Sequence, residues 1–421
     1  MFKNFINNDL NTKNVITLYF IYIFLIIILS FVYSKLYLSK NPEIILNDNK
    51  LNIIKLQFDH GKLVKNITEK KEFFQEIDGI KYYLIKLPIY PILISLLLFI
   101  SKNYYFIFIS KAIIFFSLFF FTIRIFCNDN KINTKFFLIF LISTIFIPYN
   151  LHVYFNINFS DSIGSMILSC VFLLCLSKKK KFLFLATLLS LLYLTKSSYF
   201  FITIFIALYL FIFSKEKKKI FPSIFLISTI FIWGIYGLKK SNMFPFFSSI
   251  SSHGQYQFQV VLNDKFKEIY PQLSVDLIKL PELPKTISTE KGQYLYYQKL
   301  ANQYLSNNEN FKNYLLDRIK VLKFIFFGIK QDSKFQVSEN INYSSMINKI
   351  FLNSSILLSI FLIFKYKSRE EKFINYFYLL FIFFCMLPHL VSWATSKHLV
   401  GISQISIFYL LWRINLIIRK N

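Results

Sequence analysis

What the chain lacks sets the first limits. There is no glycine-rich phosphate loop, no Walker pattern and no His-x-x-x-His pair, so an ATP-driven pump or a zinc protease has nothing to stand on. The cysteines are four, Cys127, Cys170, Cys175 and Cys385, all in or beside apolar runs, and from them follows neither a disulfide framework nor a zinc site. Negative charge is the scarce sign: 22 Asp and Glu face 49 Lys and Arg, a formal net charge of +27. That balance would suit nucleic acid, but the lysines sit mainly between apolar runs rather than on an aromatic-interleaved patch, which excludes it. No bound cofactor is implied, and a divalent metal is compatible with the acids present but not indicated by them.

What is abundant is apolar. Hydrophobic residues make up 55% of 421 positions and mean hydropathy is +0.48, too little polar surface for a soluble chain of this size. Residues 15–34, 106–123 (broken once, by Lys111) and 136–148 approach or reach the ~20 residues that cross ~30 Å of hydrocarbon. No alternation typical of barrel strands is visible, so the spans are helices and the fold class is an all-α polytopic membrane protein. The first run has no small-residue cleavage site after it and is too long for a signal-peptide core, so it reads as a retained span. Phe, Ile, Lys, Asn and Tyr are all over-represented, as an A/T-rich coding sequence would make them.

Lysine-rich connections mark the cytoplasmic side: 178–181, 215–219, 365–372 and the tail 413–420. They predict both termini inside and about 10 to 12 transmembrane helices. Two large outer loops follow, one within 38–87 and one over 239–349. The division is then a transmembrane module (1–238), an outer region (239–349) and C-terminal transmembrane helices (350–421). Three apolar stretches separate the first outer loop from Asp161, and an odd number of crossings would put Asp161 on the wrong side. One of the three therefore stops short of crossing, and the short run 90–100 is the first choice.

Three constellations can carry chemistry. The first outer loop holds Asp59, Glu69, Glu72, Glu76 and Asp78, and a carboxylate there can take the proton of an attacking hydroxyl. Glu69, Glu72 and Glu76 read as the solvated face of a juxtamembrane helix paired with Lys70 and Lys71. Asp59 lies outside that run and is the better base, with Asp78 the alternative acid. The second is Asp161 at the head of a span, either a helix cap or a functional carboxylate at the membrane boundary. The third is cationic: Lys239, Lys240 and Asn242, Lys196 on a short outer turn, and Lys397 with His398 before the last span. Such groups suit a phosphate-bearing lipid head, and each alone also fits a snorkelling anchor. His152, His253 and His389 are isolated and read as ordinary polar residues.

The order of these features resembles the C-type superfamily of membrane glycosyltransferases, especially the dolichyl-phosphate-mannose protein mannosyltransferase and lipid A aminoarabinose transferase group. Phe58-Asp59-His60-Gly61 is similar to the family's acid-bearing stretch, and Leu87-Pro88-Ile89-Tyr90-Pro91 to its Pro-Gly-Tyr-Pro entry to a helix, with Ile89 where glycine is usual. Ser160-Asp161, Leu194-Thr195-Lys196 and Lys240-Ser241-Asn242 before a Phe/Gly-containing stretch (246–254) complete the likeness, together with the tyrosine-bearing segment 297–304 and Asn310-Phe311. The resemblance implies transfer of a sugar from a polyprenyl-phosphate donor to a glycan, lipid or protein acceptor at the outer face of a bacterial inner membrane, with inversion. It makes Asp59 the base, Asp161 an orienting acid, and Lys240, Lys397 and His398 the phosphate side. Lysine stands at three places where the family tends to use arginine, giving point charges rather than planar forks. A polysaccharide polymerase or ligase and a flippase of lipid-linked sugars are the competing functions. The flippase lacks an internal repeat to support it.

Overall fold

In the computed structural model, residues 12–420 are described except 40, 47–48, 54–59, 157–159, 180, 215, 246–257, 264–265, 267–280, 329–338, 367 and 393–395. The described chain is helical apart from one two-stranded hairpin. In order the helices are α1 (Thr12–Leu38), α2 (His60–Lys70), α3 (Ile89–Ile100), α4 (Tyr104–Asp129), α5 (Thr134–Ser143) and α6 (Pro148–Phe155). There follow α7 (Ser160–Leu176), α8 (Phe182–Tyr193), α9 (Phe200–Phe213) and α10 (Ile220–Ser241). The last five are α11 (Glu290–Leu305), α12 (Asn308–Phe327), α13 (Glu339–Lys365), α14 (Arg369–Val391) and α15 (Val400–Lys420).

Among the described residues six helices are long and apolar enough to cross a membrane, and α5 with α6, bent by 68° at a short break, make a seventh if taken as one span. The break falls where Pro148 opens α6, since proline can start a helix but not continue one from the preceding turn. The apolar helices α3, α7, α8 and α9 are shorter than ~20 residues. The lower end of the expected 10 to 12 is reached if α7, α8 and α9 also cross, which would bring the total among the described residues to ten.

α3 is tied down at both ends. Its first residue, Ile89, donates its amide to the Leu194 carbonyl in the turn after α8. Just past its other end, the Lys102 carbonyl accepts from the Leu51 amide of the first loop. Its two ends are thus tied to the turn after α8 and to the first loop.

α7 is the axis of the bundle. Every described residue from Asp161 to Cys175 is buried, because α4, α6, α8 and α15 all pack on it. Small residues make that possible. A Cβ on Gly164 would lie 2.2 Å from the Tyr199 ring, and one on Gly401 of α15 would lie 3.0 Å from the Ser165 Cα. By contrast Phe20 and Phe24 of α1 are 64% and 65% exposed, the lipid-facing pattern of a peripheral span.

A polar ladder joins the last two helices, α14 and α15. Tyr378 and Tyr409 stack at 3.8 Å, the Tyr409 hydroxyl donates to Asn375 at 2.5 Å, and the Asn375 amide donates to the Glu371 carbonyl. Arg413, 1% exposed, closes the ladder by donating to the Glu371 carboxylate at 2.8 Å.

The first loop departs from the sequence reading. α2 ends at Lys70, and the chain then forms the hairpin β1 (Gln75–Ile77) and β2 (Ile80–Tyr82). Glu69 pairs with Lys65 at 3.9 Å, while Glu72 lies past the helix and Glu76 within β1, so the three glutamates share no helix face. The competing signal was Asp78-Gly79, whose positive φ values of 50° and 78° fit the two-residue turn that matches strand twist. The expected domain limits are also shifted, since 238/239 falls inside α10 and 349/350 inside α13.

Candidate functional site

The described site residues that meet do so at the head of α7. Asp161 stands in its first turn, 7% exposed, and the turn after α8 brings Lys196 to donate to its carboxylate. The chain folds this way locally because α8 stops at Tyr193, and residues 194–199 reverse direction before Tyr199 seats against Gly164, one turn below Asp161. Lys111 of α4, 2% exposed, donates at 2.7 Å to the Asn156 carbonyl at the end of α6, fixing where the segment leading to Asp161 begins.

Two further groups converge there. His60, the first residue of α2, is 4% exposed and packs on Tyr90 with ring centroids 4.5 Å apart. Burial pushes its imidazole down to about 3 from the usual 6.5; Lys86 pushes the same way, Asp161 opposes, and Lys196 adds a smaller downward push. The imidazole is therefore neutral at ordinary pH, and its field places Asp161, Lys86 and Lys196 around it. One carboxylate against two lysines leaves the cluster with surplus positive charge. Sequence reasoning missed His60 and Lys86; the signal available was His60 lying next to the favoured acid.

The helical turn before α15 (Ser396–Leu399) packs on α7, and the turn at Ser197–Tyr199 packs on α14, so His398 belongs to the same end. His398 stacks on His389 at 4.9 Å with rings 18° from parallel, which removes His389 from the isolated residues. Arg318 of α12 donates to the Leu390 and Val391 carbonyls and to that of Ser392, capping α14 just beyond His389.

Other expected site residues stand apart. Lys240 is exposed with its Nζ 5.6 Å from the centre of the Tyr83 ring. Asn242 is the left-handed cap that ends α10, with φ of 52°. Asp78 is exposed at the hairpin tip, where it serves the turn. Asp59 and the stretch 246–254 with His253 lie outside the described residues, as does the side chain of Lys397. Tyr294 and Tyr297 are buried in the packing of α11.

Glu290 is an acid that no motif or spacing singles out. It is 3% exposed and accepts from the Tyr83 and Leu84 amides at 2.9 Å each and from the Ser241 hydroxyl at 2.5 Å. One carboxylate thus ties the chain just after β2, two residues before Lys86, to the end of α10 and the start of α11.

Beside the cluster runs an apolar groove of about 640 Å³, lined by Pro88, Ile92 and Phe99 on one side and Ile232, Trp233 and Tyr236 on the other. Leu194 forms part of its wall and precedes Lys196 by two residues; Lys71 and Glu72 stand at it as well. Among the described residues no three His, Cys, Asp or Glu side chains are placed to hold a metal ion. No family model, curated protein or solved structure matches the chain.

Proposed function

We propose that this protein is an integral-membrane glycosyltransferase that moves a sugar from a polyprenyl-phosphate donor to an acceptor hydroxyl. The reading rests above all on one juxtaposition: a cationic cluster around a buried carboxylate, Lys86, Lys196 and Asp161, lying beside an apolar groove walled by Leu194 and Pro88. A lipid phosphate needs both halves, cations for its head and an apolar channel for its chain. A helix head at the membrane boundary is also where an ionisable group is tolerated at lowest cost.

In this scheme the acceptor oxygen attacks the anomeric carbon as the bond from that carbon to the phosphate oxygen breaks. The electron pair leaves with polyprenyl phosphate, whose charge Lys196 and Lys86 stabilise, with Lys397 as a further cation and His398 as a hydrogen-bonding neighbour. The acceptor proton goes to a carboxylate, for which Asp59 is the candidate base. Asp161, already bonded to Lys196, orients substrate instead. Neutral His60 is too weak a base for the role and serves as a hydrogen-bonding neighbour.

The test is mass spectrometry of cell-surface glycans from a deletion strain. Loss of one sugar is the expected result, loss of chain length would point to a polymerase or ligase, and unchanged glycans would remove the proposal.

A further inference from the structure

Three buried polar atoms next to the cluster have no hydrogen-bond partner: the hydroxyls of Tyr90 and Tyr104, and Nδ1 of His60. They come from three different helices, α3, α4 and α2. The His60 ring lies on Tyr90 at 4.5 Å, and the Tyr90 and Tyr104 hydroxyls sit in one another's field, with Tyr37 of α1 beside both. Tyr90 and Tyr104 are each 0% exposed, so bulk water does not satisfy them. A fold pays for unmet donors and acceptors of this kind, and three gathered at one place beside a reactive carboxylate call for a function.

The chemistry of the group is selective. It holds two phenol hydroxyls, each donor and acceptor, and a neutral imidazole that offers one of each. Its two hydroxyls have only tyrosines in their field, whereas Lys86 and Lys196 act on the imidazole. Such a set is poorly suited to phosphate and well suited to a neutral polyol, whose hydroxyls also give and take hydrogen bonds and whose ring faces pack on aromatics.

We propose that Tyr90, Tyr104 and His60 form the subsite for the hydroxyls of the transferred sugar. This rests on the glycosyltransferase reading and deepens it: phosphate is held by the lysines, and the sugar ring turns away from them toward the tyrosines. Entry requires the His60 ring to turn off Tyr90, a rotamer change of the kind common at binding sites.

The test uses Tyr90→Phe and Tyr104→Phe in the full chain, beside Asp161→Asn and wild type. Each purified protein is melted in lipid nanodiscs, and lipid extracts of cells carrying each variant are assayed by mass spectrometry for prenyl-phosphate sugar. Removing an unpartnered hydroxyl leaves the melting temperature unchanged or raises it, while the transfer rate falls about tenfold per hydroxyl and the lipid-linked sugar accumulates. If Asp161→Asn accumulates the sugar lipid and both Phe variants match wild type, the subsite is overturned and the transferase reading stands. A lowered melting temperature in both Phe variants also overturns it, because the hydroxyls would then be satisfied within the fold. If Asp161→Asn itself accumulates nothing, the transferase reading fails and the sugar subsite falls with it.

Discussion

Lys196 donates to the carboxylate of Asp161 from a turn 35 residues further along the chain, and the two side chains are only 22% and 9% exposed. Neither residue is placed by its own helix alone. Their meeting depends on where α8 ends, on Tyr199 seating against Gly164, and on Lys111 holding the Asn156 carbonyl.

Breaking this pair from one side leaves a buried charge without its partner. Lys196→Met is expected to cost about 3 kcal/mol. Lys196→Met combined with Asp161→Asn should recover most of that loss, since both charges are gone. Chemical unfolding of the four proteins in one detergent gives the coupling directly, and additive losses would show that the two side chains do not interact.

His60 makes stability depend on acid. Its native value of about 3 lies below the unfolded 6.5, so between those limits the unfolded chain binds a proton that the folded chain refuses. Its contribution therefore shrinks as pH falls through that window, by about 1.4 kcal/mol per unit near the middle. Comparing wild type with His60→Phe from pH 7 to pH 4 isolates the effect: the variant should lose less stability on acidification, and parallel curves would rule out a buried neutral imidazole.

Much of the fold was legible in the sequence, and the reasons differ by element. The apolar length of α1, α4, α10, α14 and α15 states a span outright, and the lysine clusters give the turns between them. α3 has the composition of a span but is short, and what its sequence does not show is that the Leu194 carbonyl and the Leu51 amide tie down its two ends. The hairpin was lost to a helical reading of Glu69, Glu72 and Glu76, although Asp78-Gly79 carried the turn signal. At the site, the acid and the lysine could be chosen from position, but their pairing could not, because it is made by tertiary contacts of Tyr199. Glu290 was invisible for the same reason: its partners are two backbone amides and a hydroxyl far away in sequence.

Lys349 illustrates a buried cation with a purely structural task. It is 6% exposed and donates to the Phe324 and Ile325 carbonyls at 2.9 and 2.8 Å, while Asn353 reaches the Phe326 carbonyl at 3.1 Å. Together they cap the last turn of α12 from α13. Lys349→Met should lower stability by about 2 kcal/mol with glycan output unchanged. Hydrogen exchange across 321–328 would rise first; unchanged protection there would contradict the capping role.

The Arg413 and Glu371 pair offers a contrast at the lysine-rich end. Glu371→Gln leaves Arg413, at 1% exposure, without its counter-charge and should cost about 3 kcal/mol. Thermal melts of Glu371→Gln and of Glu371→Leu with Arg413→Leu check this, the double variant being expected to melt closer to wild type. A double variant as unstable as the single one would mean that the ladder needs the charges themselves.

The most direct measurement is the lipid extract of cells whose only copy carries Asp161→Asn. Mass spectrometry should find a single prenyl-phosphate sugar built up well above the wild-type level, with the variant protein folded and present in the membrane fraction. An extract indistinguishable from wild type, with the same amount of inserted protein, would contradict the assignment of this carboxylate to sugar transfer.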